Sequence, residues 1–204
     1  MRSTIVTALA VTGLVTSAVS PASAASVGLP GMANIGWAEF TKEGSKIEVP
    51  PQGACSIAGP TSATAEAVSR PGITFGGGTS SCTTARSTAT GKNFELSALT
   101  SAGGPRVRLS SFTVTCDATQ TQTSANWTFG GLSGIQNPPN PVPAGYVSPI
   151  KKADGTALAN AVFNTQELPG DGSVGLTMLR IDFLPESGMS GQVTLGRTSC
   201  SPTP

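Results

Sequence analysis

Three carboxylates near one another in the sequence, Asp171, Asp182 and Glu186, are the strongest candidates for acid–base chemistry. Two carboxyl groups held about 5 to 9.5 Å apart can hydrolyse a glycosidic bond. However, Asp171 is followed by Gly172, which is typical of a β-hairpin turn, and Glu186 lies in a Pro- and Gly-containing stretch over residues 184–188 that is typical of a loop. Turns are therefore the favoured interpretation of these acids, and we predict no catalytic residues and no metal site.

The other common catalytic groups are also missing from the chain. It contains no histidine, which excludes Ser-His-Asp and Cys-His catalysis and zinc sites of the HExxH type. Lys151 and Lys152 follow a proline-rich stretch and have no SxxK partner, so a solvated turn is the better interpretation. We therefore expect a protein that is not an enzyme and needs no cofactor.

Aromatic side chains offer a second kind of chemistry, the stacking of sugar rings. Trp37, Trp127 and Tyr146 could form such a platform on the surface. The competing interpretation is that Trp127 and Phe129 lie on one face of a strand and belong to the core. Trp37 and Tyr146 therefore remain as the weak candidates for ligand binding.

Four cysteines, Cys55, Cys82, Cys116 and Cys200, predict two disulfides rather than a metal centre, because no CxxC pair is present. Three connectivities are possible. We favour Cys55 with Cys82, which flank one Gly/Ser-rich segment, and Cys116 with Cys200, which each close a strand-like run.

The N-terminus has the features of a secretory signal peptide over residues 1–24. Arg2 is followed by an apolar run from Ile5 to Val19 and by the small residues Ala22-Ser23-Ala24. The apolar run is shorter than the roughly 20 residues of a membrane-spanning helix. We therefore expect a secreted protein, extracellular or associated with the cell wall, with no membrane span after cleavage.

The charge balance argues against nucleic acid as a partner. The chain has 12 Lys and Arg against 11 Asp and Glu, a net charge of +1, and loss of Arg2 with the signal would make it neutral. Affinity for nucleic acid depends on an excess of basic residues that neutralise phosphates. The remaining partner classes are a cell-wall polymer and another surface protein.

Short stretches with β-branched residues or alternating polarity recur along the chain, and 25 glycines and 16 prolines separate them. This pattern predicts an all-β fold, an antiparallel sandwich or a barrel-like domain over residues 25–204, preceded by the signal-peptide helix. The predicted strands are Lys46 to Val49, Ala63 to Val68, Ala85 to Thr90, Arg106 to Cys116, Asn126 to Phe129, Val174 to Phe183 and Gln192 to Thr198.

Two of these strands carry further information. Between Phe112 and Cys116 apolar residues alternate with threonines, which predicts one buried and one solvated face. Between Val174 and Phe183 the apolar positions change from even to odd at Met178. We predict a bulge or face switch there, as in a strand that crosses from one sheet to another.

A proline-rich segment over residues 137–143 is the candidate boundary between two parts of the chain. Its four prolines cannot donate ladder hydrogen bonds and favour extended polyproline geometry. A disulfide between Cys116 and Cys200 would tie the two parts together, which favours one continuous domain.

Four blocks in the last ninety or so residues stand out in this order: Ser111 to Cys116, Phe163 to Glu167, Asp171 to Leu179, and Gly191 to Cys200. In their order and spacing they resemble the choice-of-anchor P family of secreted actinobacterial proteins. It implies a β-rich exported domain, often followed by a surface anchor, and no enzymatic activity. Arg180 departs from the histidine expected in the family, and no anchor follows Cys200 here.

These observations favour a non-enzymatic structural or interaction protein associated with the bacterial cell envelope. Two alternatives remain open. One is a module that binds carbohydrate or peptidoglycan through Trp37 or Tyr146. The other is a secreted protease inhibitor that presents the loop from Asn137 to Gly145.

Overall fold

A computed structural model describes residues 29–202 as two antiparallel sheets that pack face to face. The predicted signal peptide lies outside the described residues. Strands are numbered β1 to β14 along the chain. The first sheet runs, in spatial order, β11 (Tyr146–Lys151), β12 (Ala157–Glu167), β13 (Val174–Phe183), β14 (Met189–Cys200), β1 (Met32–Lys42) and β2 (Ser45–Gln52), with β3 (Cys55–Ser56) also paired to β1.

The second sheet runs β10 (Thr123–Gly130), β9 (Val107–Ala118), β8 (Arg86–Leu96), β6 (Ile73–Phe75) and β5 (Val68–Arg70), with β7 (Gly78–Cys82) paired to β8 and β4 (Ser62–Ala65) paired to β7. The helical elements in the described chain are two short 3-10 turns, Ala98–Ala102 and Pro185–Ser187. The all-β sandwich predicted from the sequence is therefore confirmed.

The core lies between the two sheets and is built from alternate residues of the central strands. On β9, Phe112, Val114 and Cys116 are buried while Thr113 and Thr115 remain partly exposed. This is the alternation that the sequence predicts, and it follows because successive side chains of a strand point to opposite faces. Large apolar side chains from both sheets meet in one cluster, including Phe40 and Leu96.

Both disulfides that the sequence analysis favours are present, and each joins one sheet to the other. Cys55 on β3 is bonded to Cys82 on β7, and Cys116 on β9 is bonded to Cys200 on β14. All four cysteines are buried. Such bridges are typical of proteins that fold in an oxidising compartment.

All seven predicted strands are present, but the stretch from Ala63 to Val68 is divided between β4 and β5. Six further strands are not predicted by the sequence pattern: β1, β3, β6, β7, β11 and β12. β12 is rich in alanine and asparagine, which are depleted in strands, and is a strand because neighbours pair with it on both sides. Tertiary pairing thus overrides local preference here.

The expected face switch at Met178 is confirmed, but the expected crossing between sheets is wrong. Met178 and Leu179 are both buried, yet β13 pairs with β12 and β14 in the first sheet before and after this point without a register shift. Two left-handed residues lie beside Met178 on the neighbouring strands, Asn164 with φ 55° and Gly196 with φ 63°. A local kink across β12, β13 and β14 therefore changes which side chains of β13 point inward.

The proline-rich segment connects an edge of one sheet to an edge of the other. It links β10, at the edge of the second sheet, to β11, at the edge of the first. The N-terminal strand β1 pairs with the C-terminal strand β14, so a cut at this segment would separate strands of one sheet.

Candidate functional site

The three carboxylates predicted as candidates do not lie at one place: Asp171 is separated from Asp182 and Glu186 by the length of β13. Asp171 precedes β13 and Glu186 follows it, and a strand of this length spans about 30 Å. Asp182 lies on β13 and accepts hydrogen bonds from Arg180 Nε at 2.9 and 3.0 Å. The main-chain N–H of Ser173 donates to Asp171 Oδ1 at 2.9 Å, as in a turn.

The aromatic candidates are also separated. Trp37 lies on β1 and Tyr146 on β11, with three strands of the same sheet between them, which corresponds to about 19 Å. Trp37 and Tyr146 therefore cannot form one platform. Tyr146 instead packs against Phe163, with ring centroids 6.4 Å apart.

Trp127 belongs to a different aromatic group at the edge of the sandwich. Its ring is stacked on Phe129 of the same strand, with centroids 5.6 Å apart, and on Phe163 of the opposite sheet at 6.3 Å. Trp127 and Phe129 are partly buried and pack against the core. Trp127 and Phe129 are therefore core residues on the side of their rings that packs against the sandwich, as interpreted from the sequence. The other side of the rings is open to a cleft.

This cleft, named here the β10 cleft, has a volume of about 580 Å³. One wall is residues 125–129 of β10, the opposite wall is residues 138–142 of the proline-rich segment, and the floor carries Asn164 and Gln166 of β12. The size is within the range of about 300 to 1,000 Å³ usual for ligand sites.

The chemistry of the cleft is aromatic and amide rather than charged. Trp127 and Phe129 supply apolar rings, and Asn126, Asn164 and Gln166 supply side-chain amides that both donate and accept hydrogen bonds. None of the described residues that line the cleft is acidic or basic. The lining is thus suited to a neutral ligand.

Asn164 fixes the proline-rich wall in place. Its side-chain Nδ2 donates to the main-chain oxygen of Val142 at 2.9 Å, and its main-chain carbonyl accepts from the N–H of Gly145 at 2.9 Å. Its side-chain Oδ1 accepts from Gln166 Nε2 at 3.1 Å. The left-handed backbone of Asn164 is one that asparagine tolerates better than most residues. The same kink that changes the inward face of the sheet therefore also anchors the cleft.

A second depression of about 400 Å³ continues along β10 and shares Ala125 and Gln166 with the first. It extends past Thr123 to the β12–β13 loop, where Leu168 is 66% exposed. The two depressions together follow β10 over most of its length.

The charged residues lie elsewhere on the surface. A hydrogen bond from Arg108 holds the pKa of the Glu95 carboxyl below its ordinary value, and a hydrogen bond to Glu39 raises the pKa of Lys46. Both carboxylates and their partners are on exposed parts of the sandwich, outside the cleft.

Within residues 29–202, no group of three His, Cys, Asp or Glu side chains could hold a metal ion. In the same range, no helix is long and apolar enough to cross a membrane. Comparison of the chain with family models, curated proteins and solved structures gives no match.

The β10 cleft is only partly visible in the sequence. The stretch from Asn126 to Phe129 predicts a strand, and the proline-rich segment stands out, but nothing in the sequence places them opposite each other. Asn164 and Gln166 lie in β12, which the sequence pattern does not predict. The recurrence of asparagine and glutamine around these stretches is the one signal that could have indicated them.

Proposed function

We propose that this protein is a non-enzymatic interaction protein of the bacterial cell envelope, exported through its signal peptide, and that the β10 cleft is its binding element. The single observation that carries the proposal is the cleft itself, which combines the stacked rings of Trp127 and Phe129 with side-chain amides and contains no charge. Aromatic rings beside side-chain amides offer a neutral ligand both apolar surface and hydrogen-bond partners.

Three further observations support this proposal. The chain has no histidine, and its candidate acids are spread along β13. Two disulfides brace the sandwich between its sheets, as in many exported proteins. The resemblance to the choice-of-anchor P proteins points to the envelope of an actinobacterium and to no enzymatic activity.

The test is the distribution of the protein between medium and cell wall, followed by binding to isolated wall. We expect wild-type protein in the exported fractions and retention on wall material. Trp127→Ala should weaken retention, whereas Trp37→Ala, on β1 and away from the cleft, should not. Because Trp127 also contacts the core, Gln166→Ala, at an exposed residue of the cleft floor, is a second cleft variant that should fold.

Equal retention of wild type and both cleft variants would contradict the assignment of the cleft. Saturable hydrolysis of a wall polymer by the purified protein would contradict the non-enzymatic proposal.

A carbohydrate-binding module is the second candidate function, and the lining of the cleft favours it. Aromatic faces stack on sugar rings, and side-chain amides bond their hydroxyl groups. The test is titration of Trp37→Phe protein, in which Trp127 is the remaining tryptophan, with neutral soluble polysaccharides. A saturable change in Trp127 emission supports this candidate, and an unchanged emission across the polysaccharides counts against it.

The protease-inhibitor alternative has less support. The loop from Asn137 to Gly145 forms a wall of the cleft, and the Val142 carbonyl is bonded to Asn164.

A further inference from the structure

The edge strand β10 differs from the other strand edges of the described sandwich. It has eight residues, Thr123–Gly130, with no proline, no charged residue and no register shift against β9. An exposed strand edge of this kind pairs readily with another chain, and natural proteins normally protect such edges.

The other edges carry the expected protection. β2 contains Pro50 and Pro51 and has a register shift against β1, and β11 contains Pro149 and ends in Lys151 after a register shift. β5 has three residues and ends in Arg70, while β3 and β4 have two and four residues. Within residues 29–202, β10 is thus the one long edge without these devices.

The open side of β10 faces the cleft. Of the backbone hydrogen bonds that residues 29–202 make outside their regular strands, none ends on β10. Half of its main-chain N–H and C=O groups therefore point away from β9, along residues that line the cleft wall.

The floor beside β10 is the end of β12. The last pair between β11 and β12 is Tyr146 with Phe163, so β12 continues from Asn164 without β11 beside it. Gln166, which pairs with the buried Leu176, lies on this floor. The first sheet therefore extends beneath the place where one more strand would lie next to β10.

We infer that the protein binds an extended, uncharged peptide segment of a partner protein as an additional strand on β10. This inference rests on the proposed function, because it names the partner class of the same cleft. The peptide backbone bonds the open edge of β10, as in other cases of strand addition. Alternate side chains of the bound peptide point inward, toward Trp127 in the β10 cleft and toward Leu168 in the second depression. Because the lining carries no charge, the site selects an uncharged segment.

The strand edge favours a peptide over a neutral polysaccharide. A polysaccharide uses the rings and amides of the cleft but has no backbone that repeats with the spacing of β10. A peptide uses both, and the unprotected edge is then part of the site rather than an aggregation hazard. The continuous depression along β10 fits an elongated occupant.

The test begins with a phage-displayed library of twelve-residue peptides selected on wild-type protein, and binding of the selected peptides is then measured on Thr128→Lys protein, which takes no part in the selection. Thr128 is exposed on β10, and a lysine there is the protection that other edges carry. Thr90→Lys is the matched control, since Thr90 is exposed on β8, a strand that is paired on both sides. A selected peptide is then made with a single backbone N-methyl group at each position in turn.

The expected result is a period of two. N-methylation at alternate peptide positions should weaken binding by about tenfold or more, through loss of one hydrogen bond and the bulk of the methyl group, and the intervening positions should tolerate it. Thr128→Lys should weaken binding and Thr90→Lys should leave it unchanged. If N-methylation is tolerated at every peptide position, or weakens binding without a period of two, the inference of strand addition is overturned.

Titration with neutral soluble polysaccharides distinguishes the remaining outcomes. If the polysaccharides bind in a Trp127-dependent way and no peptide is enriched, the inference falls and the β10 cleft remains the binding element. If neither peptides nor polysaccharides bind, and cleft variants keep wild-type retention on cell wall, both the inference and the proposed function fall.

Discussion

Removal of the disulfide between Cys116 and Cys200 should destabilise the protein more than removal of the one between Cys55 and Cys82. The bonded residues are 84 apart in the first case and 27 in the second. On the chain-entropy relation, closing these loops in the unfolded chain contributes about 4.6 and about 3.6 kcal/mol at 25 °C, a difference of about 1 kcal/mol.

Replacement of each pair by alanine makes the comparison clean. All four cysteines are 4% exposed or less, so the two variants lose similar buried sulfur atoms. Each bridge also joins the two sheets, so the loss of inter-sheet contact is similar. The two loops do not overlap in the sequence, and we expect the two costs to add to about 8 kcal/mol, which is comparable with the whole stability of a typical domain.

The assay is unfolding in guanidinium chloride, followed by circular dichroism without reductant, for wild type, both double-alanine variants and the variant with all four cysteines replaced by alanine. We expect the lower midpoint for the variant without the Cys116–Cys200 bridge, and little native protein when both bridges are absent. If the variant without the Cys55–Cys82 bridge is equally or more destabilised, loop length does not control the effect and the reasoning is refuted.

Two further predictions concern packing and pH. Gly91→Ala should lower the free energy of unfolding by about 1 to 3 kcal/mol, because a Cβ at Gly91 would overlap the buried Phe112 ring. Gly130→Ala is the control, since its Cβ would meet only ordinary or slightly tight contacts. Equal stability of the two variants would contradict the prediction. The pKa of Glu95 lies below its ordinary value because of Arg108, so its contribution to stability is present above the unfolded-state pKa and is lost as pH falls through the lowered folded-state pKa. NMR titration should find the Glu95 pKa higher in Arg108→Gln protein, and an unchanged pKa would show that another group causes the shift.

Local patterns predict those parts of the fold in which one strand face packs on the core. Phe112 to Cys116 alternates cleanly because β9 is a central strand with one inner and one outer face. The favoured cysteine pairing is confirmed, although the sequence by itself leaves three connectivities open. In β13 the change of apolar parity at Met178 is visible in the sequence, while its cause is not, because it lies in the left-handed backbone of Asn164 and Gly196 on the neighbouring strands.

The binding element could be predicted much less well. The strand pattern around Trp127 indicates a core residue and leaves Trp37 and Tyr146 as the ligand-binding candidates, whereas the structure places Trp127 in the cleft and the other two outside its lining. The error has a physical reason. A tryptophan on an edge strand can pack one side of its ring on the core and present the other to a cleft, and a one-dimensional pattern cannot distinguish this from full burial.

The sequence by itself determines the class of the protein, which is a β-rich chain without histidine, with paired cysteines and balanced charge. Alternating polarity determines the β class because it reflects local backbone preference. Composition determines the rest because it fixes which side-chain chemistry is available. Only the tertiary structure decides that β12 is a strand, that three acids are apart, and that the open edge of β10 faces an amide-lined floor across from a proline-rich wall. Those features depend on which strands pair over long sequence separations, and that choice is made by the packing of the whole sandwich rather than by any one segment.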